Sequence, residues 1–488
     1  MLFNSIEYVV FLPIVLLITF GVPASCRWLV LLLASYVFYM AWVPTYLVLI
    51  LFSTVVDFAA GLALGRLSST VSRRLCLASS IAANLGLLFA FKYYGFLADS
   101  AATVARLFGF DEAPPVFDVL LPVGISFYTF QTLSYTFEVY NRRQAPERHF
   151  GRFALYVAFF PQLVAGPIER PGHLLPQLRQ LDSFRYGMAV TGMRLILWGL
   201  FKKMVVADRL GQIVDRVYDA PQLYEGPALF IATVAFAFQI LCDFSGYTDI
   251  AIGSARLFGV DLMQNFRRPY SAGSIREFWQ RWHVSLSTWF RDYVYIPLGG
   301  NRVGLPRHYV NLGITFAVSG LWHGANWTFV LWGLYHAVLY VFGDVTRSAR
   351  DALIDAGGLR LVPRLGQFLS VLWTFSLVCA GWVLFRAETL SDAVYVWTSM
   401  PDGWSIVLRP DAPVMILDQL RLSTIDAGIA ISGVIAMSLG EYLRFDANGS
   451  ARLAATPRVM RWAIYLAGAF VVSYLGVKDD VAFIYFQF

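Results

Sequence analysis

The sequence predicts an all-α, polytopic integral membrane protein, and three observations predict it. Of 488 residues, 58% are hydrophobic and only 14% are charged, with a mean hydropathy of +0.59; a soluble domain carries about 25% charged residues. Apolar runs long enough to enter or cross a bilayer recur along the whole chain. The polar stretches between them are short, the longest lying near 345–365 and 400–424. In lipid a helix satisfies its own backbone and an open sheet does not, so helix should dominate. Residues 1–488 therefore read as one transmembrane domain, with no soluble domain and no low-complexity linker. No convincing internal repeat is present, which weakly disfavours transporter folds built from inverted repeats.

Taken in order, the first run, 8–22, resembles a signal peptide only in its apolarity. Residues 1–7 contain no Lys or Arg, so the positive leader region is missing, and a second apolar segment begins at Trp28. The run reads as a retained span with its N-terminus outside. Further runs lie near 28–43, 45–65, 76–97, 117–139, 153–168, 187–206, 227–258, 309–323, 326–345, 366–386, 425–442 and 460–477. A span needs about 20 residues, so the shorter runs should tilt, pair or re-enter, leaving roughly ten to twelve crossings. Basic clusters at 66–74, 142–152, 202–203 and 347–364 mark cytoplasmic loops; two runs separate the first two clusters, as the positive-inside rule requires. The net charge of +6 then belongs to loops rather than to a nucleic-acid-binding patch. Cys26, Cys76, Cys242 and Cys379 are scattered, without CxxC spacing. They read as small core residues, not as disulfides or metal ligands.

The block 239–345 departs from ordinary lipid-facing helix. An apolar run continues into Cys242-Asp243-Phe244-Ser245-Gly246-Tyr247-Thr248-Asp249, which brings carboxylates and hydroxyls to membrane depth. Such groups are costly there and face a partner or a cavity. Two readings stand: a helix break buried in protein and tied by hydrogen bonds, or direct participation in a site. A polar turn, 264–270, carries Arg267 and Arg268, either to contact an anionic donor or as a solvated positive-inside loop. In 274–291, Ser274 and Glu277 have capping-box spacing. Trp279, Trp282, His283, Leu286, Trp289 and Phe290 follow at helical spacing on one face. This predicts one amphipathic helix that lies in the interface or enters the membrane partway. A lone histidine on such a face is more often a core residue than a catalyst. The segment 312–336 is the stronger site. Gly320 and Gly324 flank Trp322-His323, and Asn326 is close by. Glycine permits a helix break and close backbone approach, so His323 should sit between two membrane helices. An ionisable residue at that depth is a functional candidate. His336, with Trp332 one turn before it, is a supporting candidate.

At these residues the chain resembles a known family. Trp279 through Asp292 and the stretch Leu-Trp-His-Gly-Ala-Asn-Trp at 321–327 look like the two histidine motifs of the membrane-bound O-acyltransferases (MBOAT). The segments 121–140, 160–171 and 243–253 are similar to its bacterial branch, which includes the membrane subunit of alginate O-acetylation and the D-alanyl transferase of teichoic acids. The resemblance covers nearly the whole chain. It implies a helical shell around a central funnel, with the invariant-type histidine at His323 and the second at His283. It also implies acyl transfer from a cytoplasmic thioester, here acetyl-CoA, and a periplasmic SGNH-type partner that completes transfer to a polysaccharide. The setting implied is the bacterial inner membrane. In that scheme His323 is the general base, since neutral imidazole takes a hydroxyl proton near pH 7. His283 orients it or stabilises developing charge, and Asn326 polarises the carbonyl. Arg267, Arg268, Trp279 and Trp282 are the expected donor-binding residues. No metal is required.

The terminal Phe-Ile-Tyr-Phe-Gln-Phe, 483–488, resembles an aromatic motif of bacterial MBOAT systems in which a tyrosine carries the acyl group. Tyr485 would be that carrier; an interfacial aromatic anchor is the alternative. The expected acceptor is alginate or a related exopolysaccharide, with peptidoglycan, cellulose and teichoic acid as alternatives. A lipid or polysaccharide transporter is the competing reading outside the enzymes.

Overall fold

A computed structural model describes residues 1–109, 121–164, 166–181, 183–357, 362–445, 456–478 and 483–484, and every regular element among them is a helix or helical turn. Six helices are long and apolar enough to cross a membrane: Pro44–Arg66, Thr70–Leu107, Gly226–Leu257, Trp327–Val345, Pro363–Arg386 and Thr424–Leu443. Ile6–Gly21 and Ala24–Met40 are shorter apolar helices. The chain divides into two compact units, Met1–Ile196 with Tyr247–Met263, and Leu197–Gly246 with Gln264–Phe488.

In the first unit, Ile125–Tyr140 is the interior helix, with both polar and apolar side chains buried along it. It starts at Gly124, whose φ of +75° is a left-handed conformation that glycine adopts without a Cβ clash. The helix Leu47–Arg66 packs against it through Gly61, where a Cβ would strike the Tyr135 ring. Between them lies Asp57, fully buried and hydrogen-bonded by Ser80 Oγ, Thr136 Oγ1 (2.8 Å) and Asn84 Nδ2 (2.9 Å). A buried carboxylate requires such a shell of donors. Arg73 departs from the loop role expected of the 66–74 cluster. It lies inside the helix Thr70–Leu88, buried, and donates to the carbonyls of Leu64, Leu67, Val139 and Tyr140. It thereby caps the open C-terminal ends of two helices. The apolar run 153–168 does not make a span. It breaks at Phe159 into Phe150–Ala158 and the one-turn helix Phe160–Leu163, which begins with Pro161 near its start.

Two further expectations are corrected. The break foreseen at 242–250 is absent: Gly226–Leu257 runs as one helix of 32 residues, and 72% of its most apolar window is buried. Gly246 does not break it. A Cβ there would lie 2.8 Å from Gly199 O and 3.1 Å from Lys203 N, so the glycine lets two helices cross closely. Nor do Lys202 and Lys203 lie in a loop. Both are 1% exposed, inside the widened π-helical turn Phe201–Ala207. Lys203 pairs with Asp208 and Asp243, each at 2.7 Å, and Lys202 with Ser245 Oγ at 2.9 Å and Glu441 at 3.3 Å. Partners of opposite charge make their burial tolerable.

Candidate functional site

The amphipathic segment 274–291 is two helices, not one. Ile275–Arg281 is capped by Ser274 Oγ, which accepts from Glu277 N (3.2 Å), while Glu277 reaches back to Gly273 N (2.7 Å). The helix stops at Trp282. His283 then takes a left-handed conformation (φ 43°, ψ 54°), and Val284–Phe290 follows. That conformation is uncommon for a residue with a Cβ and persists where its surroundings impose it. Here the turn 264–268 imposes it. Arg267 N donates to Arg281 O (3.0 Å), Val284 N to Asn265 O (2.9 Å) and Ser285 N to Asn265 Oδ1 (3.2 Å). Arg268 is itself left-handed, at φ 51°. The break satisfies its backbone by pairing with a second irregular segment, and His283 is fixed between them.

His323 ends the helix Leu305–His323, and Asn326 opens Trp327–Val345. The two helices form a tight hairpin. A Cβ at Gly320 would strike Phe329 O and one at Gly333 would strike Phe316 O, so the two backbones touch. His283 and His323 meet inside the protein, both buried, with ring centroids 6.5 Å apart. Trp322 lies 6.0 Å from His283, and Phe244 lies edge-on to it at 4.6 Å. Trp332 and Phe385 stand at 5.1 and 5.4 Å from His323. Burial pushes the His283 imidazole down to about 3 from its ordinary value, so it is neutral at physiological pH.

The remaining expected residues fall into distinct places. Trp279 packs on Phe316, Trp332 and His336. Trp282 is buried against Phe266, Tyr270, Phe278 and Trp382. Tyr270 completes that wall by donating to Ala237 O (2.6 Å) and accepting from Trp382 Nε1 (3.0 Å). Arg267 is exposed, and Arg268 lies over the Tyr442 ring at 4.8 Å. Asn326 is engaged elsewhere. Its amide oxygen caps the helix through Thr328 N (3.0 Å), and its amide nitrogen donates to Glu388 O (3.1 Å). The geometry makes it a hinge pin for the hairpin rather than a group aimed at a carbonyl. His336 is fully buried between Trp279 and Trp332, and among the described residues neither ring nitrogen has a hydrogen-bond partner. Tyr485 lies outside the described residues, but Phe483 and Ile484 are described. Phe483 is buried 5.6 Å from Phe244, and Ile484 N donates to Asp243 Oδ2 at 2.7 Å. Sequence reasoning missed Lys203 and Asp208, the partners of Asp243.

A buried, uncharged histidine beside a second one, walled by aromatics in a multi-pass membrane protein, suits proton transfer at a hydroxyl, as an acyltransferase requires. The family MBOAT, membrane-bound O-acyltransferase family, matches residues 66–376, and the chain belongs to it. The protein is accordingly a membrane-bound acyltransferase. It is 39% identical over 406 residues to the probable alginate O-acetylase AlgI of Azotobacter vinelandii, covering 82% of this chain and 78% of that protein. It is 38% identical over 406 residues to the protein of the same name from Pseudomonas aeruginosa, covering 82% and 75%. The peptidoglycan O-acetyltransferase of Helicobacter pylori is 33% identical over 435 residues, covering 82% and 80%.

Proposed function

We propose that the protein passes an acetyl group from cytoplasmic acetyl-CoA across the bacterial inner membrane, for O-acetylation of alginate or a related exopolysaccharide outside. The observation that carries this reading is the buried pair of His283 and His323 at 6.5 Å, in a chain similar to alginate O-acetylases over 82% of its length. His323 is the base. It takes the proton of an attacking hydroxyl as that oxygen bonds to the thioester carbonyl carbon. The carbon–sulfur bond then breaks, and the proton passes to the departing thiolate to give free CoA. His283, neutral by burial, can hydrogen-bond without adding charge. It stabilises the oxyanion or holds the hydroxyl in line. Trp279 and Trp282 shape the wall on the donor side, and Arg267 and Arg268 meet the CoA phosphates. Asn326 holds the histidine hairpin.

In this reading the first acceptor is the Tyr485 hydroxyl. Its acetyl ester is then attacked by a hydroxyl of the SGNH-type periplasmic partner, which regenerates the tyrosine and carries the acetyl to the polysaccharide. The likeness to the Helicobacter protein favours peptidoglycan as the second acceptor to test.

The test is to incubate purified protein in detergent with labelled acetyl-CoA, beside the His323→Ala variant, and to map the label. An adduct on Tyr485 that requires His323 is the expected result. A His323-dependent adduct elsewhere removes the tyrosine carrier and keeps the enzyme. Equal labelling of both proteins overturns the role of His323.

A further inference from the structure

We propose that the buried Lys203–Asp243 pair is the dock for the C-terminal segment, and therefore a positioning element for acyl transfer. The proposal rests on the reading that the residue after Ile484 carries the acyl group, and its test separates the two. Asp243 divides its carboxylate between two tasks. Oδ1 pairs with Lys203 Nζ at 2.7 Å, and Oδ2 accepts the backbone N–H of Ile484, also at 2.7 Å. The Lys203 and Asp243 side chains are 1% and 4% exposed. A neutral peptide N–H on a buried carboxylate forms a charge-assisted bond, roughly twice as strong as a neutral one. The lysine makes that ionised acceptor tolerable at depth.

A second tether acts on the same turn. Val477 N donates to the carbonyl of Met204, the residue after Lys203, at 3.0 Å. Gly476 lies against the Met204 side chain, where a Cβ would be 3.2 Å away. The segment is thus held at 476–477 and at 484 by one π-helical turn and the helix crossing it. Single-turn π insertions are frequent at functional sites, where they re-aim side chains.

The dock also fixes distance. Phe244 follows Asp243 in the chain, and its ring lies 5.6 Å from that of Phe483 and 4.6 Å from that of His283. The Phe244 ring thus contacts both the docked segment and His283. Because Asp243 binds the backbone of Ile484, the dock does not depend on that residue's side chain.

Hydrogen exchange of the full-length protein in detergent, read by mass spectrometry on the peptide 476–488, tests this beside His323-dependent turnover of labelled acetyl-CoA. Asp243→Asn keeps an oxygen for Ile484 but removes the charge. Asp243→Leu removes the acceptor altogether and leaves Lys203 paired with Asp208, so no lone buried ion results. Val477→Pro removes the second tether without touching any charge. In each variant, exchange in 476–488 should rise about tenfold and turnover should fall by a similar factor, while the hairpin 305–345 keeps its protection. Unchanged exchange in 476–488, or raised exchange with full turnover, overturns the proposal. Should the charge variants lose hairpin protection, Val477→Pro decides alone by the same readouts. Tyr485→Phe separates the readings: full turnover there discards the tyrosine carrier, while the Asp243 and Val477 variants still decide the dock.

Discussion

Asp57 in the first unit and Asp243 in the second are both buried carboxylates in apolar, span-length helices, and they are satisfied by opposite means. Asp57 is held by two hydroxyls and an amide from neighbouring helices, all neutral and all within regular structure. Asp243 is held by a lysine that it shares with Asp208, and by the backbone of a segment 241 residues further along the chain. A neutral shell of this kind ties helices together. Asp243 instead splits its oxygens between a cation and a backbone donor, so the ion pair through Oδ1 does not depend on the bond that Oδ2 accepts from Ile484. A carboxylate at membrane depth is thus a poor marker of function by itself; the chemistry of its partners is the better one.

The largest expected effect sets the scale for that contrast. His323→Ala should lower acetyl-CoA turnover by about 10²–10⁴-fold, the usual worth of a general base; a loss under fivefold would place the base elsewhere. Next, Asp57→Asn and Asp243→Asn should diverge. The Asp57 variant should lose about 1–3 kcal/mol of stability, the cost of a mismatched buried polar group, seen as a lower Tm in detergent, with unchanged turnover per folded molecule. The Asp243 variant should do the reverse, and equal behaviour of the two would erase the distinction. Asn326→Ala should cost about 1 kcal/mol, as helix N-caps do, with a loss of turnover of only a few-fold; a hundredfold loss in a folded protein would return Asn326 to the reacting carbonyl. The smallest effect concerns pH. Native His283 is held down at about 3, whereas the unfolded chain takes up its proton near 6.5. The contribution of His283 to stability is therefore complete above about pH 6.5 and declines as pH falls from there toward 3. His283→Gln should flatten that part of a melting-temperature profile.

The histidine pair was legible because its neighbours are distinctive: Trp and Gly around His323, and Trp and Ser around His283. The left-handed break at His283 was not. Arg281-Trp282-His283 contains neither glycine nor proline, and the conformation is imposed by Asn265, 18 residues earlier in the chain. Lys202 and Lys203 were misread because adjacent lysines normally mean a loop. The contrary signal was present, since Leu200-Phe201 and Met204-Val205-Val206-Ala207 keep the run apolar on both sides. Their carboxylate partners, however, could only be found in three dimensions. Asp243 was singled out for the correct reason, its depth, but the break expected beside it gave way to a close helix crossing at Gly246.

The glycine contact between the two hairpin helices has a mechanical consequence. With Gly320 and Gly333 pressed backbone to backbone, the hairpin has almost no lateral play and behaves as a stiff two-legged strut with His323 at its tip. Any motion that opens a path to His323 should then fall to the helices around the hairpin. Bracing of this kind fixes the orientation of the His323 ring. A single methyl at either glycine would push the two helices apart and shift His323 without altering its side chain.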